Sequence, residues 1–190
     1  MSEVVLEFIP SDLNRMLVLD VGCAKGYLGY QIRTKKSGNP TVLGLDLWVP
    51  YIKEVRSFHA DYVRIYDDLI MADARHMPFR GQVFNLLIAS ELLEHLPRED
   101  GFRLLKEMER ISKDRIITST PSRFFEQEQL DNNPYQRHVS RWKEEDFVKS
   151  GYEVKVVYGK SLNLGEKIGL ITRLSKPLGV ILARKTMQGV

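Results

Sequence analysis

The sequence predicts a single α/β domain: a mostly parallel sheet covered by helices on both faces. From residue 16 onward, apolar runs of five to seven residues alternate with segments whose apolar positions recur at helical spacing. The connections between them are short, as βαβ units with both sheet faces covered allow. Acidic residues stand at the carboxyl ends of the first three runs, at Asp20, Asp46 and Asp73. That is the sheet edge where open α/β folds bind ligands.

Each element has its own justification. Met16–Val21 (MLVLDV) is rich in β-formers and is stopped by a glycine. Residues 26–36 read as a helix with Leu28 and Ile32 apolar, followed by a strand over Thr41–Leu45. Residues 50–64 carry Ile52, Val55, Phe58 and Tyr62 near a helical period, then Asp68–Ala72 forms a third strand. Val83–Ala89 (VFNLLIA) is a buried fourth strand, and 99–112 is a helix on Phe102, Leu105, Met108 and Ile111. Arg115–Ser119 is a fifth strand stopped by Pro121. A loop of about twenty residues and a short helix at 143–150 follow. Two closing runs, Tyr152–Tyr158 and Leu178–Ala183, have no evident crossover helix between them. An antiparallel pair at one sheet edge is the expectation. The glycines and cations of 159–177 suit a lid or a mobile loop.

Composition bounds the function. The chain of 190 residues, 43% hydrophobic, supports one core and one domain over 1–190. No apolar run approaches a membrane span, and no basic segment precedes a long apolar run at the N-terminus. A cytoplasmic protein is expected. The single cysteine, Cys23, excludes a disulfide framework and a multi-thiolate metal site. Residues 1–100 carry a net charge of −3 and residues 101–190 one of +6. A phosphate-bearing or RNA partner could use the second half, but a solvated surface explains it as well.

The sharpest local feature is Leu19-Asp20-Val21-Gly22-Cys23-Ala24-Lys25-Gly26, at the first strand-to-helix turn. Glycines allow a tight turn and close approach of a ligand, and the helix N-terminus behind favours negative charge. The dinucleotide fingerprint is absent, because three residues separate Gly22 from Gly26 with no G-x-G pair. Asp46, at the end of the second strand, is placed to accept both hydroxyls of a ribose, and Asp73 to accept an exocyclic amine.

The order VLDVGCAKG, LGLDL, MADARHMPF, FNLLIASELLEHL resembles class I S-adenosylmethionine-dependent methyltransferases, in the broad group containing quinone-biosynthesis methyltransferases. The resemblance spans roughly residues 16–158 and, with the last strand, nearly the whole chain. It implies a Rossmann-like, doubly wound sheet of seven strands in the order 3-2-1-4-5-7-6, with strand 7 antiparallel. It implies S-adenosylmethionine as cofactor and S-adenosylhomocysteine as product. Gly22, Cys23, Ala24 and Gly26 would pass the homocysteine moiety by backbone contact, and Asp20 would orient its amino group. Asp46 would hold the ribose with Leu47 near the adenine, and Asp73 and Ala74 would read the base. Ser90 and Glu91 would line the cleft near the sulfonium. Ala24 stands where a glycine is common, which a negative φ would tolerate.

The acceptor side is less determined. His95 lies one helical turn beyond Glu91, as an acceptor contact or a loop-orienting residue. The loop after the fifth strand, where relatives build the acceptor pocket, carries Tyr135, His138 and Trp142 as substrate contacts. His138 is the candidate base. No metal is expected: adjacent Glu94 and His95 on a helix would point to different faces, and no second histidine sits at zinc-binding spacing. Asn132-Asn133-Pro134-Tyr135 superficially matches an amino-nitrogen methyltransferase motif, but lies after the wrong strand. The expected acceptor is a small molecule rather than RNA or protein. Only fifteen residues precede the first strand, so the cleft would be open, or roofed by the 120–142 loop or by a homodimer partner. The rival functions are a non-catalytic cofactor-binding subunit and a nicotinamide-dependent oxidoreductase.

Overall fold

The computed structural model describes residues 2–61, 64–158 and 179–187. Strands β1 (Leu17–Val21), β2 (Thr41–Asp46), β3 (Asp68–Met71), β4 (Phe84–Ser90), β5 (Ser112–Pro121), β6 (Glu153–Tyr158) and β7 (Gly179–Thr186) form one sheet. Its order is β3-β2-β1-β4-β5-β7-β6, as expected. Strands β1 to β5 pair in parallel, and β7 runs antiparallel to both β5 and β6. The helices are α1 (Ser2–Leu6), α2 (Tyr27–Lys35), α3 (Val49–Asp61), α4 (Arg98–Ile111) and α5 (Glu144–Lys149).

Alternating residues of the central strands enter two different cores, because successive side chains leave a strand on opposite faces. Leu86 and Ile88 of β4 pack with Leu28, Ile32, Ile52 and Val55 of α2 and α3. Leu87 and Ala89 pack with Leu104, Leu105 and Met108 of α4 and Phe147 of α5. The segment before β1 joins the first core through Val5, Ile9 and Leu13, all buried. It therefore completes a helical layer, and none of its described residues lines the cleft described below.

One expectation is adjusted. β5 is ten residues long rather than five and starts directly after α4. Its polar beginning, Ser112-Lys113-Asp114, hides it from an apolar-run reading. The 159–177 segment, read as a lid or mobile loop, lies outside the described residues. No helix among those residues is long and apolar enough to cross a membrane.

Candidate functional site

The turn after β1 is built from left-handed residues in alternation: Gly22 at φ 74°, Ala24 at φ 45° and Gly26 at φ 81°. Ala24 thus does not keep the negative φ expected of it. Its N–H is aimed instead at Asp46 Oδ2, which accepts it at 2.8 Å. The N–H groups of Gly22 and Cys23 both donate to the Leu45 carbonyl, at 2.8 and 2.9 Å. The turn is therefore stitched to the end of β2 by three main-chain donors.

Asp46 Oδ1 also accepts from the Trp48 N–H at 2.7 Å, so each carboxylate oxygen has one lone pair engaged and others free for a ligand. Burial raises the Asp46 pKa, and these N–H donors oppose the rise. Asp20 is buried and accepts from the Tyr66 hydroxyl at 2.6 Å. Burial pushes its pKa up to about 7 despite that hydrogen bond. Asp73 is gripped by Arg75 through side-chain bonds of 2.6–3.1 Å, and Arg75 continues to Asp100 at 2.7 Å. The Arg75 guanidinium holds the Asp73 carboxyl below its usual range.

Beyond β4 the chain carries a second group of polar side chains. Glu91 takes φ 53°, an uncommon backbone state for a non-glycine residue. Its Oε1 accepts from Ser119 Oγ at 2.8 Å, while its Oε2 is buried without a hydrogen-bond partner. Leu93–His95 then form a 3₁₀ turn rather than α-helix. This overturns the expectation that Glu94 and His95 diverge: ligand atoms of Glu94, His95 and His138 lie within 4.8 Å of one another. His95 Nδ1 donates to the Arg137 carbonyl at 3.1 Å, and His138 Nδ1 to the Phe125 carbonyl at 3.0 Å. A carbonyl can only accept, so in both rings Nε2 carries the free lone pair. Burial pushes the His95 pKa down to about 4 and also lowers that of His138, leaving both rings neutral near pH 7.

These groups face one cleft along the carboxyl ends of β1 to β4. One part of it is a cavity of about 360 Å³. Gly22, Ala24, Asp46, Leu47, Asp73, Ala74, Ser90 and Glu91 line it, together with His95, Tyr135 and His138. An adjoining pocket shares Gly22, Ala24, Ser90 and Glu91 and adds Asp20 and Cys23. Of the expected cofactor residues only Gly26 lines neither, serving instead as the left-handed entry to α2. The roof is the loop after β5, through Phe125, Gln127 and Leu130, which no periodicity in the sequence marks. Lys25 of the glycine turn pairs with Asp131 of the roof at 2.9 Å, and the Tyr51 hydroxyl donates to the same carboxylate at 3.0 Å.

Trp142 is not brought to the cavity. Its ring is 1% exposed, sits over Gly101 of α4 where no β-carbon would fit, and belongs to the second core. The indole N–H donates to the Leu93 carbonyl at 3.1 Å, so Trp142 braces the turn that carries Glu94 and His95.

The sequence profile of a family described as a methyltransferase domain matches residues 18–115, just over half the chain and the whole run from β1 into β5. The chain belongs to this methyltransferase family. No curated protein matches it significantly. Among solved structures, the methyltransferase resembles an S-adenosylmethionine-dependent methyltransferase from Mesorhizobium loti, at 17% identity over 98% of each chain and a TM-score of 0.65. It also resembles magnesium protoporphyrin IX methyltransferase from Synechocystis with bound S-adenosylmethionine (15% identity, 97% of this chain, 76% of that chain, TM-score 0.62). A third similar structure is the [4+2]-cyclase SpnF (14% identity, 100% of this chain, 80% of that chain, TM-score 0.70). At such identities the likeness speaks to fold. S-adenosylmethionine is the cofactor of the methyltransferase, and the cleft suits it. The cavity falls in the roughly 300–1,000 Å³ range of small-ligand sites, and acidic residues stand at or just beyond three strand ends, Asp46 with lone pairs to spare.

Proposed function

We propose that the protein transfers the sulfonium methyl of S-adenosylmethionine to a small acceptor bound beneath the loop after β5. The observation that carries this reading is one continuous cleft with two chemically different ends. One end holds the glycine turn, Asp20, Asp46 and Asp73, and the other holds His95, His138, Phe125 and Tyr135. In this reading Asp46 binds the ribose hydroxyls through the lone pairs not used by Ala24 and Trp48. Asp20 orients the amino group, Leu47 packs by the adenine, and Asp73 with the Ala74 backbone reads it. Ser90 and Glu91 stand beside the sulfonium, and Gly22, Cys23 and Ala24 carry the homocysteine part along their backbone.

The cofactor supplies a methyl group that is already strongly electrophilic, so the protein's task is to align a nucleophile and exclude water. Tyr135 and the roof loop confine the acceptor, and His138 takes its proton on the free Nε2 if the acceptor is a hydroxyl or carbon acid. The His138 Nδ1–H to Phe125 contact fixes the tautomer that this role needs.

Calorimetric titration with S-adenosylmethionine and S-adenosylhomocysteine, on protein freed of copurified ligand, tests the reading. Single-site micromolar binding, followed by labelled methyl transfer to a low-molecular-weight component of an extract, is the expected result. Folded protein that binds neither would refute it.

A further inference from the structure

We propose that Glu94, His95 and His138 bind a divalent transition-metal cation at the acceptor end of the cleft. The inference stands on the arrangement of these side chains; the ion's part in catalysis rests on the methyl-transfer reading above.

Only acceptors converge here. Each histidine donates Nδ1–H to a main-chain carbonyl, Arg137 for one and Phe125 for the other, which leaves both Nε2 lone pairs free for a ligand. Ligating histidines are oriented in this way by a hydrogen bond from the other ring nitrogen. The two rings meet edge to face at 4.9 Å, though they come from segments 43 positions apart in the chain. Glu94 is 3% exposed, and its Oε2 accepts one hydrogen bond, from Thr120 Oγ1 at 3.0 Å. Glu91, close enough for its charge to act on Glu94, adds a buried carboxylate oxygen with no partner. Among the described residues no lysine or arginine pairs with either glutamate. Carboxylates buried without a counter-charge are costly, and a cation at the focus of the acceptors removes that cost.

The frame around the cluster is rigid. The Glu94 carbonyl accepts from the Val139 and Ser140 N–H groups at 2.8 and 3.1 Å, and the Leu93 carbonyl accepts from Ser140 Oγ and Trp142 Nε1. The turn bearing Glu94 and His95 is thereby fastened to the strip bearing His138. From a spread of 4.8 Å, modest side-chain rotation brings the three groups to the roughly 2.0–2.2 Å at which nitrogen and oxygen hold zinc. Two imidazoles and a carboxylate select zinc, iron, manganese or cobalt over calcium and magnesium. Three protein ligands leave positions open for an acceptor oxygen, which loses its proton to solvent water more readily on the ion. That oxygen then forms the bond to the methyl carbon as the carbon–sulfur bond breaks, its electron pair staying on sulfur. The His138 lone pair is then committed to the ion, so its use as a base and its use as a ligand exclude one another.

The test uses the full, untagged chain stripped by chelator and titrated with Co²⁺, read by visible d–d absorption and by calorimetry. One equivalent bound, with the intense bands of a four- or five-coordinate nitrogen-containing site, is expected. His138→Ala and Glu94→Gln should each raise the Co²⁺ dissociation constant beyond the roughly 10–100-fold that loss of an outer partner costs, and Thr120→Val should fall within that range. Thermal unfolding checks each variant, with His95→Gln and His138→Gln as milder replacements where one does not fold. Folded wild-type protein without the absorption, or with unchanged absorption in His138→Ala and Glu94→Gln, overturns the proposal. S-adenosylmethionine titration of the same samples separates the two readings. Cofactor binding without cobalt sinks only the metal site, and cobalt binding without cofactor sinks only the methyl-transfer reading.

Discussion

The Ala24 N–H donates to Asp46 Oδ2 at 2.8 Å, joining the turn after β1 to the carboxyl end of β2. One carboxylate thus shapes the glycine turn and, in the proposed reading, remains available to the cofactor itself. Removing it has two effects. Asp46→Ala is expected to weaken S-adenosylmethionine binding by about 2–3 kcal/mol, from loss of charge-assisted hydrogen bonds. Calorimetry checks this, and unchanged affinity would remove Asp46 from the site.

Ala24 holds φ 45°, where a β-carbon costs about 1–2 kcal/mol relative to glycine. Glycine returns part of that through the greater freedom of the unfolded chain. Ala24→Gly should therefore stabilise the protein by about 0.5–1 kcal/mol in urea unfolding, with the hydrogen bond to Asp46 kept. A loss of stability would show that the strain is not there.

Asp20 gives a pH dependence. Its carboxyl titrates near 3.8 when unfolded and near 7 when folded, so between those values the native state holds a proton that the unfolded chain has released. Stability must then fall as pH rises from about 4 to 7, by at most about 4 kcal/mol for this group. Thermal unfolding at pH 5 and pH 8, in low salt and without cofactor, should show a smaller decline in Asp20→Asn than in the parent. Parallel declines would place the Asp20 pKa near its ordinary value.

His138→Ala should leave cofactor affinity unchanged while methyl transfer drops by at least ~100-fold, whether the lost group is the proton acceptor or a ligand of the ion. Cofactor binding is followed by calorimetry and turnover by labelled methyl. A large loss of cofactor affinity would move His138 to the other end of the cleft.

Trp142 should behave as a brace. Trp142→Phe deletes the indole N–H that meets the Leu93 carbonyl and Ser140 Oγ. A cost of about 1–2 kcal/mol in stability is expected, with cofactor affinity intact. Undiminished stability with lost turnover would restore the substrate contact that the sequence suggested for it.

The sequence by itself determined most of the elements, though neither α1 nor the beginning of β5. Period-two and helical apolar patterns report which face of each element is buried, and that information is local. The strands at 17–21, 41–46 and 84–90, the glycine turn, Asp46 and Asp73 were all legible for this reason. Their common edge followed too, because parallel strands place all their carboxyl ends on one side. The tertiary structure alone decided what meets across the fold. Glu94 and His95 looked divergent because an α-helix was assumed, whereas a 3₁₀ turn, pinned by Trp142 and Ser140, turns both toward a histidine 43 positions away. Trp142 looked like a pocket residue because its loop faces the cleft, yet a glycine on α4 gives its ring a seat in the core. Ala24 looked unstrained until the position of Asp46 set the direction of its N–H. Periodicity encodes burial, but a partner's identity depends on chain crossings that no local pattern records.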